Sequence, residues 1–459
     1  MEYVIEKFAG LNQAADELSV APKYAAEAEN VDTEGGALRV GKGNRAFVHT
    51  PLTGGIGTLA AFYQRVNGAT TPRLIAVNAL GIYEWRENSW QTRFAQAGSN
   101  DASAINYQVK GTDVLLVADG KRPVLTWDGG PQMTALAGCD RAFAHLALNY
   151  ERIWGAGLAG EPDSVYWSRA FDPSNWTGDA LNPDAGGGVL QIPTWNGGSV
   201  EAIRALFGDV LVFKDEDLYR IVGTYPGNYE VVKVHGVVGP VAKNSIVSTG
   251  SACYFLAKEG LCVYNGVSVA PVGDEPAKGV FARINQAAIA GACAAFYRGK
   301  LHLALPLDQA TSNNAILEID PARGTYLLST GVSVTCLLPF GDALLMTGGD
   351  GTIDAYAQGE TRAFGVTRAF WRTPWSDLGR PGIDKRVESV SMFARGNIVL
   401  TLLTDAGKVK REMRLGKRMR PVTVPLGVNG RRFTLTIENA AGADFEIAPG
   451  LSVLCEMDG

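Results

Sequence analysis

The sequence predicts an all-β protein: a β-propeller of about seven blades followed by a C-terminal β-sandwich-like domain. Three observations predict it. A hairpin pattern recurs along most of the chain, glycine is over-represented without a period of three, and the spacing of apolar runs changes near Phe370. The recurring unit is an apolar run, a polar or Gly-bearing turn, and a second apolar run. Its clearest copies are 74–85 (LIAVNALGIYEW) and 114–127 (VLLVADGKRPVLTW). Related copies are 210–219 (VLVFKDEDLY), 253–264 (CYFLAKEGLCVY) and 343–356 (ALLMTGGDGTIDAY). Two looser copies fill the gaps, RIWG at 152–155 leading to VYW at 165–167, and KLHLAL at 300–305 leading to ILEI at 316–319. Short runs rich in Val, Ile, Leu and aromatics, broken by Gly and Asp, read as strands joined by tight turns. The copies begin roughly 40 to 57 residues apart, and such a period with several strands per unit is what a propeller blade requires.

Composition supports this. The 55 glycines in 459 residues are about 12%, against a usual share of about 7%, which suits turn-rich β structure. With 46% hydrophobic and 19% charged residues the chain has the make-up of a soluble globular protein. A net charge of −5 gives no whole-chain argument for nucleic-acid or membrane binding. Cys139, Cys253, Cys262, Cys293, Cys336 and Cys455 form no C-x-x-C pair and sit mostly in apolar surroundings, so buried free thiols are expected. The opening residues carry no basic region followed by an apolar run, and no apolar stretch approaches about 18 residues, so cytoplasmic synthesis without a membrane span is expected.

Three segments follow. Residues 1–50 form an N-terminal arm with a short Ala-rich helix candidate at 23–29, opened by Pro22, and a turn at 34–39 between strands around Val31 and Val40. This arm is expected either to complete a blade or to reach a neighbouring subunit through Phe8, Leu11, Leu38 and Arg39. Residues 51–365 form the propeller, with a short helical insertion at 276–286 and a long Gly/Asn/Pro-rich surface loop at 171–193. Residues 366–459 form the docking domain. Its strand candidates are 387–393, 398–404, 409–415, 422–424, 433–437, 445–447 and 451–456, with Asn429-Gly430 as a hairpin signal.

Catalytic signatures are scarce. The four histidines, His49, His145, His235 and His302, have no metal-type partner nearby in sequence, and His302 alternates with Leu301 and Leu303 on a strand. Nucleophile-elbow and phosphate-loop motifs are missing. Asp215, Glu216 and Asp217 read as a solvated hairpin turn rather than an acid/base pair, because glycosidase carboxylates converge from different strands. Asp350 to Asp354 lacks a full calcium-loop series. The stretch 168–176 (SRAFDPSNW) departs from a repeated Asp-box. No catalytic residue, metal or cofactor is expected.

One charge feature stands out. Residues 380–432 carry 13 Lys/Arg against 4 Asp/Glu, and removing this local +9 from the whole-chain −5 leaves −14 on the remainder. The densest part contains Lys408, Lys410, Arg411, Arg414, Lys417, Arg418 and Arg420. Read as a strand, Val409, Arg411, Met413 and Leu415 share one face and Lys408, Lys410, Glu412 and Arg414 the other. Three readings suit that second face: a solvated edge strand guarded by charge, an interface for an acidic protein, or a phosphate contact.

Three patches resemble the propeller-containing tail nozzle, or tail tubular, proteins of short-tailed bacteriophages. The first is Phe8-x-Gly10-Leu11-Asn12 with Asn30-Val31 and 34–39 (EGGALR). The second is Tyr166-Trp167-Ser168 with Asp172-Pro173 and Trp176, and the third runs from Gly430-Arg431-Arg432-Phe433 to 445–450 (FEIAPG). The resemblance implies a virion structural protein in a homohexameric ring beneath a portal-and-adaptor stack, contacting other tail proteins, with double-stranded DNA passing transiently through the centre. On this reading the acidic turn Asp215, Glu216 and Asp217 faces the channel and the basic C-terminal face meets an adjoining subunit or protein. The alternative is a propeller that binds or cleaves envelope carbohydrate.

Overall fold

A computed structural model describes residues 1–459 apart from 15, 193–197, 237–238, 274–275, 360–367, 441 and 458–459. Seven four-stranded antiparallel sheets follow one another along the chain. In the first, Thr58–Val66, Ala69–Asn78, Gly81–Arg86 and Ser89–Phe94 pair in sequence order. The first strands of successive blades lie against one another around the axis, and the fourth strands form the outside. Each of the seven recurring hairpins lies in the second and third strands of one blade, as 210–219 does in Asp209–Lys214 and Asp217–Val222. These strands are the most apolar because blades stack face to face, burying both sides of the middle of each sheet. Between blades 4 and 5, for example, Phe213 and Phe255 meet with ring centroids 5.3 Å apart.

The seventh sheet has only three strands from its own stretch, Cys336–Phe340, Ala343–Thr347 and Ile353–Ala355. Its fourth is Arg45–Val48, with Val48 opposite Ile353. The strand-closure expectation for the arm therefore holds for these residues.

The sandwich-like domain is organised by one strand of 20 residues, Lys385–Thr404. The sequence reading divides it at 393/398, but the backbone continues. It turns at Gly396, where φ is +88° and an added Cβ would lie 2.2 Å from the Asp444 carbonyl oxygen, so glycine is required there. The first half pairs with Arg420–Gly430 and Leu451–Met457, and the second half with Lys408–Arg414 and Phe433–Asn439. One strand thus serves both sheets, which close over Val390, Met392, Leu400, Leu435 and Val453.

The arm departs from expectation. Residues 23–29 are extended, as Tyr24–Ala25 and Glu27–Glu29, because Glu27–Glu29 pairs with Phe370–Arg372 and long-range pairing outweighs alanine's helix preference. Glu2–Ile5 pairs with the last strand, with Glu2 opposite Leu454, and the hairpin of Val31–Asp32 and Leu38–Val40 joins through Leu38 opposite Ile447. Residues 2–40 therefore complete the C-terminal domain instead of forming a separate arm. The expected boundary at 365/366 lies outside the described residues. The helical insertion is shorter than expected, Lys278–Ala282.

The domain is clasped to the outer strand of blade 6, Thr325–Val334. Gly10, at φ +137°, comes so close that an added Cβ would sit 2.9 Å from the Tyr326 carbonyl oxygen. Asn30, 1% exposed, holds a left-handed φ of +58° that asparagine tolerates better than most residues. Its side-chain amide donates to Thr330 Oγ1 at 2.9 Å and to the Arg368 carbonyl at 3.0 Å, and its Oδ1 accepts from the Thr330 N–H at 2.8 Å. Asn30→Ala is expected to cost roughly 2–4 kcal/mol, by loss of these bonds plus backbone strain. Asn30→Gly, which relieves the strain, is expected to cost less; denaturant midpoints of the two variants check the order.

Candidate functional site

The expected interface residues lie at the far edge of the domain. In the second sheet the order runs from Glu27–Glu29, beside blade 6, through Phe370–Arg372, Phe433–Asn439 and Lys385–Thr404. Lys408–Arg414 then pairs with the last of these. At about 4.8 Å per step the basic strand is four strands away from the clasp. Lys408, Lys410, Arg411, Arg414, Lys417, Arg418 and Arg420 are all exposed. Val409, Met413 and Leu415 pack against the core as the alternation predicts. Arg411 shares their face, opposite Leu400, yet is exposed: its Nε reaches across to the Pro425 carbonyl at 3.3 Å, which keeps the guanidinium at the surface. Arg414 pairs with Glu412 at 3.4 Å. Among the described residues, Lys408, Lys410, Lys417, Arg418 and Arg420 have no acidic partner within ion-pair distance. Other cations of the +9 segment are engaged structurally. Buried Lys385 donates to the carbonyls of Arg380, Ile383 and Arg431, and Arg395 pairs with Glu446.

The acidic turn sits off the propeller axis, between the second and third strands of blade 4. Asp215 and Glu216 are exposed. Asp217 is buried, turned toward the outer strand by Lys233 at 2.9 Å and accepting from the Tyr219 hydroxyl. Antiparallel alternation puts this turn on the rim where the first strands begin.

That rim opens into the hub, a cavity of about 450 Å³ lined by Asp101, His145, Arg204 and Lys243 among others. Lys243 pairs with Asp101. Burial, and then the charges of Lys243 and Arg204, push the His145 imidazole down to about 3. Burial likewise lowers the Arg204 guanidinium. Sequence reasoning missed this group because its members come from four separate blades or inter-blade turns, and only closure of the ring brings them together.

Three of the four arm residues assigned to a neighbouring subunit, Phe8, Leu11 and Leu38, are buried inside the chain, which corrects that expectation for them. Phe8 packs edge-on against Trp371 at 5.3 Å, Leu11 and Leu38 are buried, and Arg39 pairs with Glu446 at 2.8 Å. The cause is the strand exchange between the two chain ends, which leaves Phe8, Leu11 and Leu38 facing a core while Arg39 stays partly exposed.

Buried carboxylates are held by cations. Glu84 lies between Arg73 and Arg93, each at 2.6 Å. Although burial works to raise its pKa, the two arginines hold it below the usual carboxylate range. A glycosidase acid needs the opposite shift. Asp350 accepts from the Thr352 N–H and hydroxyl, as a simple turn does. In the 168–176 stretch, Asp172 accepts from Ser174 and the Trp176 indole donates to the Pro173 carbonyl. The side chain of His235 lies outside the described set. Among the described residues no group of three or more His, Cys, Asp or Glu is placed to hold a metal ion, and no helix is long and apolar enough to cross a membrane. Cys139, Cys253, Cys293 and Cys455 are buried, and Cys262 and Cys336 are half-buried.

Seven four-stranded sheets closed by an N-terminal strand define a seven-bladed β-propeller, here joined to a sandwich-like domain. No family model matches the chain, and no curated protein matches it. Among solved structures it is similar to the computationally designed Ika8 protein, with TM-score 0.41 and 12% identity over 68% of this chain and 99% of that one. It is also similar to the extracellular domain of BT4673 from B. thetaiotaomicron, with TM-score 0.47 and 10% identity over 83% of this chain. The chain spans 47% of that domain. A third likeness is the WD40 domain of Neurospora crassa Pan2, with TM-score 0.38 and 10% identity over 67% of this chain and 90% of that one. At such identities these are likenesses of fold.

His145 makes stability pH-dependent. Its folded pKa, about 3, lies below the ordinary 6.5, so the unfolded chain takes up a proton first as pH falls. Stability from this group is fully present above pH 6.5 and is lost as pH drops toward 3, by up to about 1.4 kcal/mol per unit. His145→Gln is expected to flatten the slope by one proton, read from denaturant midpoints of both proteins between pH 7 and 4.

Proposed function

We propose that the chain is a non-enzymatic structural component of a bacteriophage virion tail. It is one copy of a homo-oligomeric ring, six in the nozzle proteins it resembles, around the passage for double-stranded DNA. The observation that carries this reading is the separation of charge on one clasped body. An unneutralised basic edge points away from the propeller, while the remainder of the chain carries −14 once the +9 segment is set aside. Contact between the basic edge of one copy and the acidic body of the next is head-to-tail, and such contacts close into rings when the rotation permits. The loop leading to 188 adds apolar contact area, with Leu181 98% and Phe171 68% exposed.

The passage runs between copies, because the hub of a single propeller holds only about 450 Å³, the scale of a small molecule. Asp215 and Glu216 on the rim face the lumen, where like charge keeps DNA phosphates from adhering. The basic edge faces a neighbouring copy or an adjoining portal, adaptor or tail protein. The alternative, an envelope glycosidase, would release new reducing ends from host polysaccharide.

Native mass measurement of the isolated protein at low salt is expected to show a closed ring of roughly six copies that dissociates as salt rises. The triple variant K408E/K410E/R414E is expected to remain folded but monomeric. A monomer at every salt concentration, or a ring with these three side chains lining its lumen, overturns the reading. Imaging of the assembled particle checks the tail position.

A further inference from the structure

The first strands of blades 1, 2, 3, 4 and 7 give the hub most of its wall, through apolar side chains such as Ala60, Ala104, Leu146, Ala202 and Leu338. Three charged groups interrupt this lining, Asp101, Arg204 and Lys243. His145 adds no charge at pH 7, because its pKa lies at about 3. Lys243, in the turn that leads into blade 5, pairs with Asp101, which stands just ahead of the first strand of blade 2. Both side chains are partly exposed, and their charges cancel at the rim.

Arg204 has no such partner. It sits on the first strand of blade 4, Val200–Leu206, and is half-buried. Among the described residues no carboxylate lies within ion-pair distance of it, and Asp101 acts on it only through its field. Its Nη1 donates to the Ile203 carbonyl at 2.8 Å, which fixes the plane of the guanidinium. Nε and Nη2 make no bond within the described residues and are not closed off by protein, so they stay open to the cavity. Burial is the chief cause that lowers the Arg204 pKa, yet a guanidinium remains charged at neutral pH. An enclosed cation of this kind costs free energy until an anion meets it.

The requirements on a ligand follow from these groups. One uncancelled positive charge calls for one negative charge. The Nε–Nη2 edge presents two parallel N–H donors, which a carboxylate matches with both of its oxygens. The nearby Asp101 carboxylate disfavours a second negative charge. Alanine and leucine walls favour a hydrocarbon body, and about 450 Å³ accommodates a short chain or a single ring. We propose that the hub binds a small organic monocarboxylate, its carboxylate bridging Arg204 Nε and Nη2 and its hydrocarbon part lying against the first strands. The site belongs to the inside of one propeller and stands independently of ring assembly.

Saturation-transfer NMR with acetate, butyrate and benzoate, in chloride buffer at fixed ionic strength, tests it. Saturable binding is expected, tighter for butyrate than for acetate. Butyramide and benzamide, of the same shape without the charge, are expected not to bind. Arg204→Lys keeps the charge but loses the fork, and is expected to weaken binding at least roughly tenfold. Ala104→Leu, which narrows the cavity and leaves Arg204 in place, is expected to weaken it as well. Melting curves show which variants are folded. K408E/K410E/R414E, which addresses assembly, is expected to bind as the parent does. Absence of binding by every carboxylate, equal binding by the amides, undiminished binding by either folded hub variant, or equal competition by inorganic phosphate overturns the proposal.

Discussion

Closure of the ring of blades is the constraint on which the rest of the structure depends. A series of small sheets leaves two exposed flanks unless the last packs on the first, and here the last sheet is one strand short. Arg45–Val48, which precedes blade 1 in the chain, supplies that strand. The chain therefore enters and leaves the propeller at the same blade. Everything before residue 45 and everything after the last blade emerges together, and the two ends pair strand for strand. Glu2–Ile5 on Leu451–Met457 and Glu27–Glu29 on Phe370–Arg372 are consequences of that common exit. The Met1 ammonium donating to the Cys455 carbonyl at 2.7 Å completes the join.

Polar groups then fix how the joined ends sit on the propeller. Apolar packing alone tolerates sliding, whereas hydrogen bonds between particular backbone groups do not. Asn30 bridges blade 6 and the C-terminal segment, and Arg283, between blades 5 and 6, reaches Glu29 at 2.8 Å, while Arg372 binds Glu17 and Glu27 within the joined ends themselves. The same logic operates within the propeller, where Arg73 and Arg93 share Glu84, and Arg152 anchors the long loop through the Ser168, Asp184 and Gly186 carbonyls. Lys408, Lys410 and Lys417 of the far edge lie outside this pattern, with no acidic partner within ion-pair distance among the described residues. They suit a macromolecular neighbour.

The recurring hairpins were legible because the middle strands of a blade are buried on both faces, which forces continuous apolar runs and tight turns whatever the neighbours. The basic edge was legible because charge is read directly from composition. The motif around Phe8, Gly10 and Asn30 was visible, but its meaning was not. Only in three dimensions does Gly10 meet the Tyr326 carbonyl, Phe8 meet Trp371, and Asn30 span two domains. The alanine-rich 23–29 stretch misled for the same reason, since its extended state is set by a partner strand more than 340 residues later in the chain.

The sequence by itself determined the unit of construction, the number of units and the placement of charge, since these depend on local periodicity and residue type. The tertiary structure decided how the units close, which end completes which sheet, and which polar atoms from separate blades face one another. Those outcomes depend on contacts between residues hundreds of positions apart. Asn30 shows the difference: it is an ordinary polar residue near the start of the chain, and only the tertiary structure sets its side chain on Thr330 and on the Arg368 carbonyl, 300 and more positions later.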